Sequence, residues 1–236
     1  MRHWITRVGT ACLLVLSGVA NVRGVTGQTS APVVYVISIE GTIDLGLAPF
    51  LARTIRQAEE AGAAAVLLEI NTFGGRVDAA VAMRDALLNS RVRTIAFVNQ
   101  RAISAGALIA LACNTLVMTQ GGTIGAATPV LSGGGETQPT DEKSVSYLRS
   151  EFRATAESRN RQPEFAEAMV DADVEIEGVI AKGKLLTLTA DALRERAWKA
   201  VEPQYHARLA KLVDEFLEES PGDLAPMNWR RLPERR

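Results

Sequence analysis

The chain has 236 residues, 47% hydrophobic and 22% charged, which is the make-up of an ordinary globular domain with one sizeable core. Setting aside residues 1–28, which hold Arg2, Arg7 and Arg23 and no acid, leaves 23 basic against 27 acidic residues, a net charge of −4 in place of −1. A mildly acidic body argues against a nucleic-acid partner.

In chain order, the basic MRHWITR runs into the uncharged, apolar VGTACLLVLSGVA, about the length of the hydrophobic region of an export signal. Residues 1–28 are therefore read as a signal peptide or, if uncleaved, an N-terminal anchor. Gly18-Val19-Ala20 and a site near Gly27 both suit cleavage. Cys12 follows too little apolar sequence for lipidation, and Cys113 is then alone, so no intrachain disulfide is expected. With histidines only at 3 and 206, and no CxxC or HExxH, neither a metal nor a cofactor is expected.

The β-branched VVYVISI (33–39) predicts a buried strand, and LAPFLARTIRQAEEAG (47–62) a helix with Phe50, Leu51, Ile55 and Ala58 on one face and Gly62 just past its end. AAVLLEI (64–70) predicts a second strand, broken by NTFGGR, before a helix over 77–90 and a third strand at TIAFV (94–98). Strands alternating with helices imply an α/β layer with mostly parallel strands. From Ala102 to Gly135 there is no charged residue. Asn114 and Thr115 interrupt the run where a helix would turn into a strand, which favours buried structure over a membrane span. LSGGGETQPTDE (131–142) predicts a surface loop, and it lacks the Lys-Ser/Thr of a phosphate cradle. An amphipathic helix over 143–161 follows, then a short helix from Pro163, a pair of short strands within 174–189 turning at Lys182-Gly183-Lys184, and a tail. Domain boundaries are placed at 31–202 for the body and 203–236 for a helical tail with a basic end expected to be disordered.

Within "RAISAGALIA" Ser104 stands where the chain enters a helix near Ala105. It is either a helix cap or a nucleophile, and a nucleophile needs a base for its proton and donors for the developing oxyanion. Gly74-Gly75, between strand and helix, reads as a plain turn or as backbone amides turned toward a ligand. For the base, His206 in the tail is a poor choice. Lys143 opens a helix whose dipole disfavours the ammonium, with Asp141 and Glu142 acting the other way unless they face solvent.

"INTFGGRVDAA", "RAISAGALIALACNTLVM", "GGTIGAATPV" and "DEKSVSYLRSEFRATAESRNR" together resemble the protease domain of the NfeD family, membrane-associated serine proteases of the Clp-protease and crotonase superfamily. The likeness runs from about Val33 to about Thr189. It implies a ClpP/crotonase-like spiral of β-β-α units with a mostly parallel sheet. It further implies a Ser-Lys dyad of Ser104 and Lys143, and an oxyanion hole from the amides of Gly74 and Gly75 with help from Ala105. Phe73, Ile103 and Leu131 are expected to line the substrate cleft, Phe73 standing where the family usually has proline. The function implied is an exported endopeptidase cutting hydrophobic segments of peptides or membrane proteins, stomatin-like ones among them, and working as a homo-oligomer at the extracytoplasmic face of a membrane. Two alternatives stay open: a peptide-binding module of the same fold without catalysis, and a crotonase-type acyl-CoA enzyme, which export disfavours.

Overall fold

The computed structural model describes residues 33–133, 136–193 and 228–231. The segment 1–28 and most of the tail lie outside them.

The β-branched run at the start forms β1 (Val33–Ile43), which pairs in parallel with β2 (Ala65–Gly75). Between them lies α1 (Leu47–Glu60), which buries Leu51, Ile55 and Ala58 and leaves Phe50 half-buried. A second helix, α2 (Val77–Leu88), leads to β3 (Thr94–Ile103), parallel to β2. Both β2 and β3 run further than the apolar pattern predicts: NTFGG and NQRAI continue their strands toward the C-terminal end of the sheet.

The charge-free stretch becomes α3 (Ala105–Ala112), β4 (Thr115–Met118) and β5 (Thr123–Gly125). Strands β4 and β5 share one edge of β3, the first along Ile95–Val98 and the second along Arg101–Ile103, both parallel. The predicted loop over 131–142 is instead largely a two-stranded antiparallel hairpin, β6 (Val130–Gly133) with β7 (Glu136–Pro139). Thr140 Oγ1 closes its base by donating to the Pro129 carbonyl at 3.1 Å. Next come α4 (Glu142–Ser158) and α5 (Pro163–Val170).

Of the pair of strands predicted within 174–189, the second forms but does not pair with the first. An isolated bridge joins Ile176 to Ile180, while β8 (Thr187–Thr189) pairs antiparallel with β5. At this distant sheet edge Leu186 and Leu188 are buried. A three-residue turn of helix, α6 (Ala190–Ala192), follows. In the basic end expected to be disordered, β9 (Asn228–Arg231) runs parallel to the first residues of β1. The main sheet is thus ordered β8-β5-β3-β2-β1-β9, with β4 beside β3 and every pairing but β5–β8 parallel.

Ile37, Ile39, Leu68, Ile70 and Val98 point from one face of the sheet into the main core with Leu51, Met83 and Leu108 of the helices. A smaller cluster of Val34, Val36, Leu67, Phe97 and Val117 occupies the alternate positions. All eight residues of α3 are buried, so its last carbonyls cannot reach bulk water. Two arginines supply the donors. Arg161, 8% exposed, donates to the carbonyls of Leu111 (2.6 Å) and Cys113 (2.9 Å), and Arg159 to those of Ala112 (2.7 Å) and Leu87 (2.8 Å). Cations at a helix C-terminus also meet the negative end of its dipole. Burial pushes the Arg161 guanidinium down to about 10, the sign of a cation taken far from water. Arg161→Leu, which strips donors from two buried carbonyls, is expected to cost about 2–5 kcal/mol, read as a lower urea midpoint with an unchanged slope.

Cys113, beside these carbonyls, is fully buried, and burial pushes its thiol up to about 12. It is a packed, unreactive sulfur.

Candidate active site

The C-terminal ends of β1, β2 and β3 converge with the N-terminus of α3, and there the backbone leaves its ordinary conformations. Ser104, between β3 and α3, has φ 55° and ψ −120°, a region that a residue with a Cβ rarely enters. It occupies the N-cap position, yet its side chain makes no capping hydrogen bond. The cap explanation for this serine therefore lacks its defining contact. What holds the strained turn is backbone: Ser104 N–H donates to the Gly125 carbonyl at 3.0 Å, and the Ser104 carbonyl accepts from Ala107 N–H at 2.9 Å.

Gly74 packs directly against this serine. A Cβ placed on Gly74 would lie 2.6 Å from Ser104 Cβ and 3.1 Å from its Oγ, and the glycine's φ is 110°. A Cβ on Gly75 would fall 2.2 Å from the Ile43 carbonyl oxygen, so this residue allows β2 to lie close against the end of β1. The predicted serine and glycine pair are thus brought together by adjoining strand ends.

The two glycine amides are not equivalent. Gly74 N–H donates to Thr72 Oγ1 at 2.9 Å, and the same hydroxyl donates to the Gly41 carbonyl. Thr72 is 1% exposed and braces the turn from inside. Its methyl also explains the glycine two places after Ser104, since a Cβ on Gly106 would lie 2.5 Å from Thr72 Cγ2. Ala105, buried, opens α3, so its N–H is among the amides that have no acceptor within their own helix. Thr72, Gly106 and Gly125 were not singled out by the sequence reading; the threonine two residues before Gly74 was the available signal.

Lys143 lies in the first turn of α4 and is exposed. Among the described residues no hydrogen bond or ion pair joins it to Ser104. Its neighbours are otherwise engaged. The Asp141 carboxylate caps α4 by accepting from Ser144 N–H at 3.0 Å, and hydrogen bonding with Ser144 holds this carboxyl below its ordinary range. Glu142 faces Arg149 at 4.0 Å.

Of the predicted cleft residues, Phe73 is 74% exposed with the Arg101 guanidinium 4.6 Å from its ring centre, and Ile103 is half-buried. Leu131 pairs with Gln138 along the hairpin. Leu45 and Val77 are also exposed near the end of β1 and the start of α2, making the rim of the turn apolar. Among the described residues no cluster of histidine, cysteine and carboxylates suits a metal ion, and no helix is long and apolar enough to cross a membrane.

Residues 33–222 match the family model described as NfeD1b, N-terminal domain. The membrane protein NfeD1b of Bacillus subtilis (strain 168) is 40% identical over 199 residues, which are 84% of this chain and 43% of that protein. The membrane-bound protease PH1510 of Pyrococcus horikoshii is 30% identical over 149 residues, 61% of this chain and 34% of that one. The chain therefore spans less than half the length of these relatives. Among solved structures, a serine-to-alanine mutant of the 1510-N membrane-bound stomatin-specific protease superposes with a TM-score of 0.66 at 24% identity, over 86% of this chain and 99% of that one. A lysine-to-alanine mutant of the same protease, in complex with a substrate peptide, gives a TM-score of 0.66 at 24% identity over 86% and 93%. At that identity the likeness establishes a common fold.

Proposed function

The chain belongs to the NfeD1b N-terminal-domain family, and from that premise we propose that it is an exported, membrane-associated serine endopeptidase with a Ser104–Lys143 dyad. The observation that carries this reading is the strained, uncapped Ser104 against the glycine turn, since strain persists where function requires it. The protease name of one relative, and the serine and lysine mutants among the solved structures, support it.

In this mechanism Ser104 Oγ attacks the scissile carbonyl while the neutral amine of Lys143 takes its proton, later returning it to the leaving amine. The oxyanion is held by the amides of Gly75 and Ala105. Gly74, whose own amide serves Thr72, lets the serine approach the turn. A peptide lying along the apolar rim of Leu45, Phe73 and Val77, with Ile103 and Leu131 beside it, would shield the lysine from water. Substrates on this reading are hydrophobic segments, a stomatin-like membrane protein included, and the working form is a homo-oligomer.

Purified protein is expected to cut an apolar peptide. Lys143→Ala should lower kcat by at least about 10³-fold with the peptide still bound. Equal cleavage by wild type and Lys143→Ala would overturn the dyad. The exposure of Lys143 and its lack of a bond to Ser104 favour one other reading, a cleft that holds apolar peptide without cutting it. That reading requires binding without any product.

A further inference from the structure

Three separate parts of the molecule meet at the C-terminal end of α5. The Ala168 carbonyl accepts from Leu186 N–H at 2.9 Å, next to β8. The Met169 carbonyl accepts from Ala127 N–H at 2.6 Å, and the Val170 carbonyl from Thr128 Oγ1 at 2.7 Å. These bonds hold the segment that follows Gly125, the residue whose carbonyl accepts the Ser104 amide. One end of a helix therefore props the turn that carries the nucleophile.

The next residue reaches the other half of the dyad. Asp171, 8% exposed, accepts a hydrogen bond from Arg149 of α4 through Oδ2, while its Oδ1 accepts from Asp173 N–H at 2.8 Å. The second amino group of Arg149 lies 4.0 Å from Glu142, the neighbour of Lys143. Glu142 and Arg149 are about two helical turns apart and so share a face. Further along α4, Arg153 bonds Glu167 and Thr155 bonds Arg84, but both ties lie farther from Lys143 than Arg149 does. The first turn of α4 is exposed or half-buried, held locally by the Asp141 cap and by Val145 against the core, and its first buried side chain is Leu148.

We infer that Arg149 is a positioning residue for the reaction: through Asp171 it ties the lysine-bearing turn of α4 to the same helix end that props Ser104, so that base and nucleophile keep a fixed relation. The inference rests on the dyad reading above. A displacement of about 1 Å between reacting groups can cost on the order of 10²-fold in rate. The planar fork of Arg149 bonds Asp171 with one amino group and turns the other toward Glu142 at 4.0 Å.

The test compares wild type, Arg149→Met, Arg149→Lys and Lys143→Ala in full-length protein, by peptide cleavage and by amide hydrogen exchange. Arg149→Met is expected to lower kcat about 10- to 100-fold with KM within about twofold, and to speed exchange at Ser144 and Val145 by at least about tenfold while the amides around Phe152 keep their protection. Arg149→Lys, which keeps the pair with Asp171, should recover kcat to within about fivefold of wild type. Wild-type kcat and unchanged first-turn exchange in Arg149→Met, with Lys143→Ala inactive, would overturn the inference and leave the dyad standing. A loss of protection throughout α4 in Arg149→Met would make the residue a general stabiliser and overturn it as well. Full cleavage by Lys143→Ala defeats the dyad itself, and Arg149 then has nothing to position.

Discussion

Replacing Ser104 by glycine is expected to abolish cleavage and at the same time make the protein more stable. The serine sits at φ 55° and ψ −120° with no capping bond to lose. Non-glycine residues in sparsely populated regions of this kind cost about 1–3 kcal/mol. Glycine adopts the same angles freely but loses more freedom on folding, about 0.5–1 kcal/mol, so a net gain of about 1 kcal/mol is expected. Alanine is the informative partner. It keeps the strain and removes only the hydroxyl, so Ser104→Ala should lose activity by at least about 10³-fold with a urea midpoint close to wild type. A serine acting as a helix cap gives the opposite pattern, with alanine costing about 1 kcal/mol and glycine a few tenths. Urea denaturation of the three proteins beside a peptide-cleavage assay separates the two cases.

Gly75→Ala is expected to damage both fold and chemistry. Its new Cβ would lie 2.2 Å from the Ile43 carbonyl oxygen, 2.5 Å from Ile43 N and 2.9 Å from Ile43 C. These are main-chain atoms of a paired strand, and no rotamer change relieves the clash. The ends of β1 and β2 must separate, at a cost of about 3 kcal/mol, the upper part of the usual range for overpacking. Separation also moves the amide assigned to the oxyanion, and loss of such a donor costs about 10²–10³-fold in kcat. Chemical denaturation and steady-state kinetics on the same preparation measure both effects. A variant with the wild-type midpoint and wild-type kcat would remove Gly75 from the oxyanion hole and disprove the close strand contact. By comparison, Gly74→Ala would press on Ser104 Cβ, so the neighbour that must give way is the serine side chain itself.

Much of the architecture was legible in the chain alone because it depends on local periodicity. VVYVISI and AAVLLEI are apolar at nearly every position, as strands covered on both faces must be, and both form neighbouring parallel strands. The absence of charge from Ala102 onward correctly indicated interior, since α3 is buried on every side. Gly62 and Pro163 marked a helix end and a helix start for the conformational reasons that usually place them there.

What the sequence could not express was pairing and approach between distant segments. Residues 71–75 and 99–103 look like loops because polar, charged and glycine residues break the apolar run, but the sheet extends them as strands through backbone bonds that have no side-chain signature. The hairpin over 130–139 is a local pairing whose glycine-rich, polar residues show no apolar alternation, while β8 falls within a predicted strand but pairs with β5, more than sixty residues earlier. At the site, the residues alone left Ser104 open between cap and nucleophile, and only the resemblance to the NfeD protease domain implied a role in acyl transfer for it, the glycine pair and Lys143. Only the tertiary structure decided that Ser104 is strained rather than capped, that Thr72 occupies the Gly74 amide, and that Lys143 stands exposed on a helix whose Arg149 bonds Asp171. Residue type sets which reactions are open to a side chain. Dihedral strain, hydrogen-bond competition and exposure arise from contacts between segments far apart in the chain, and these exist only once it has folded.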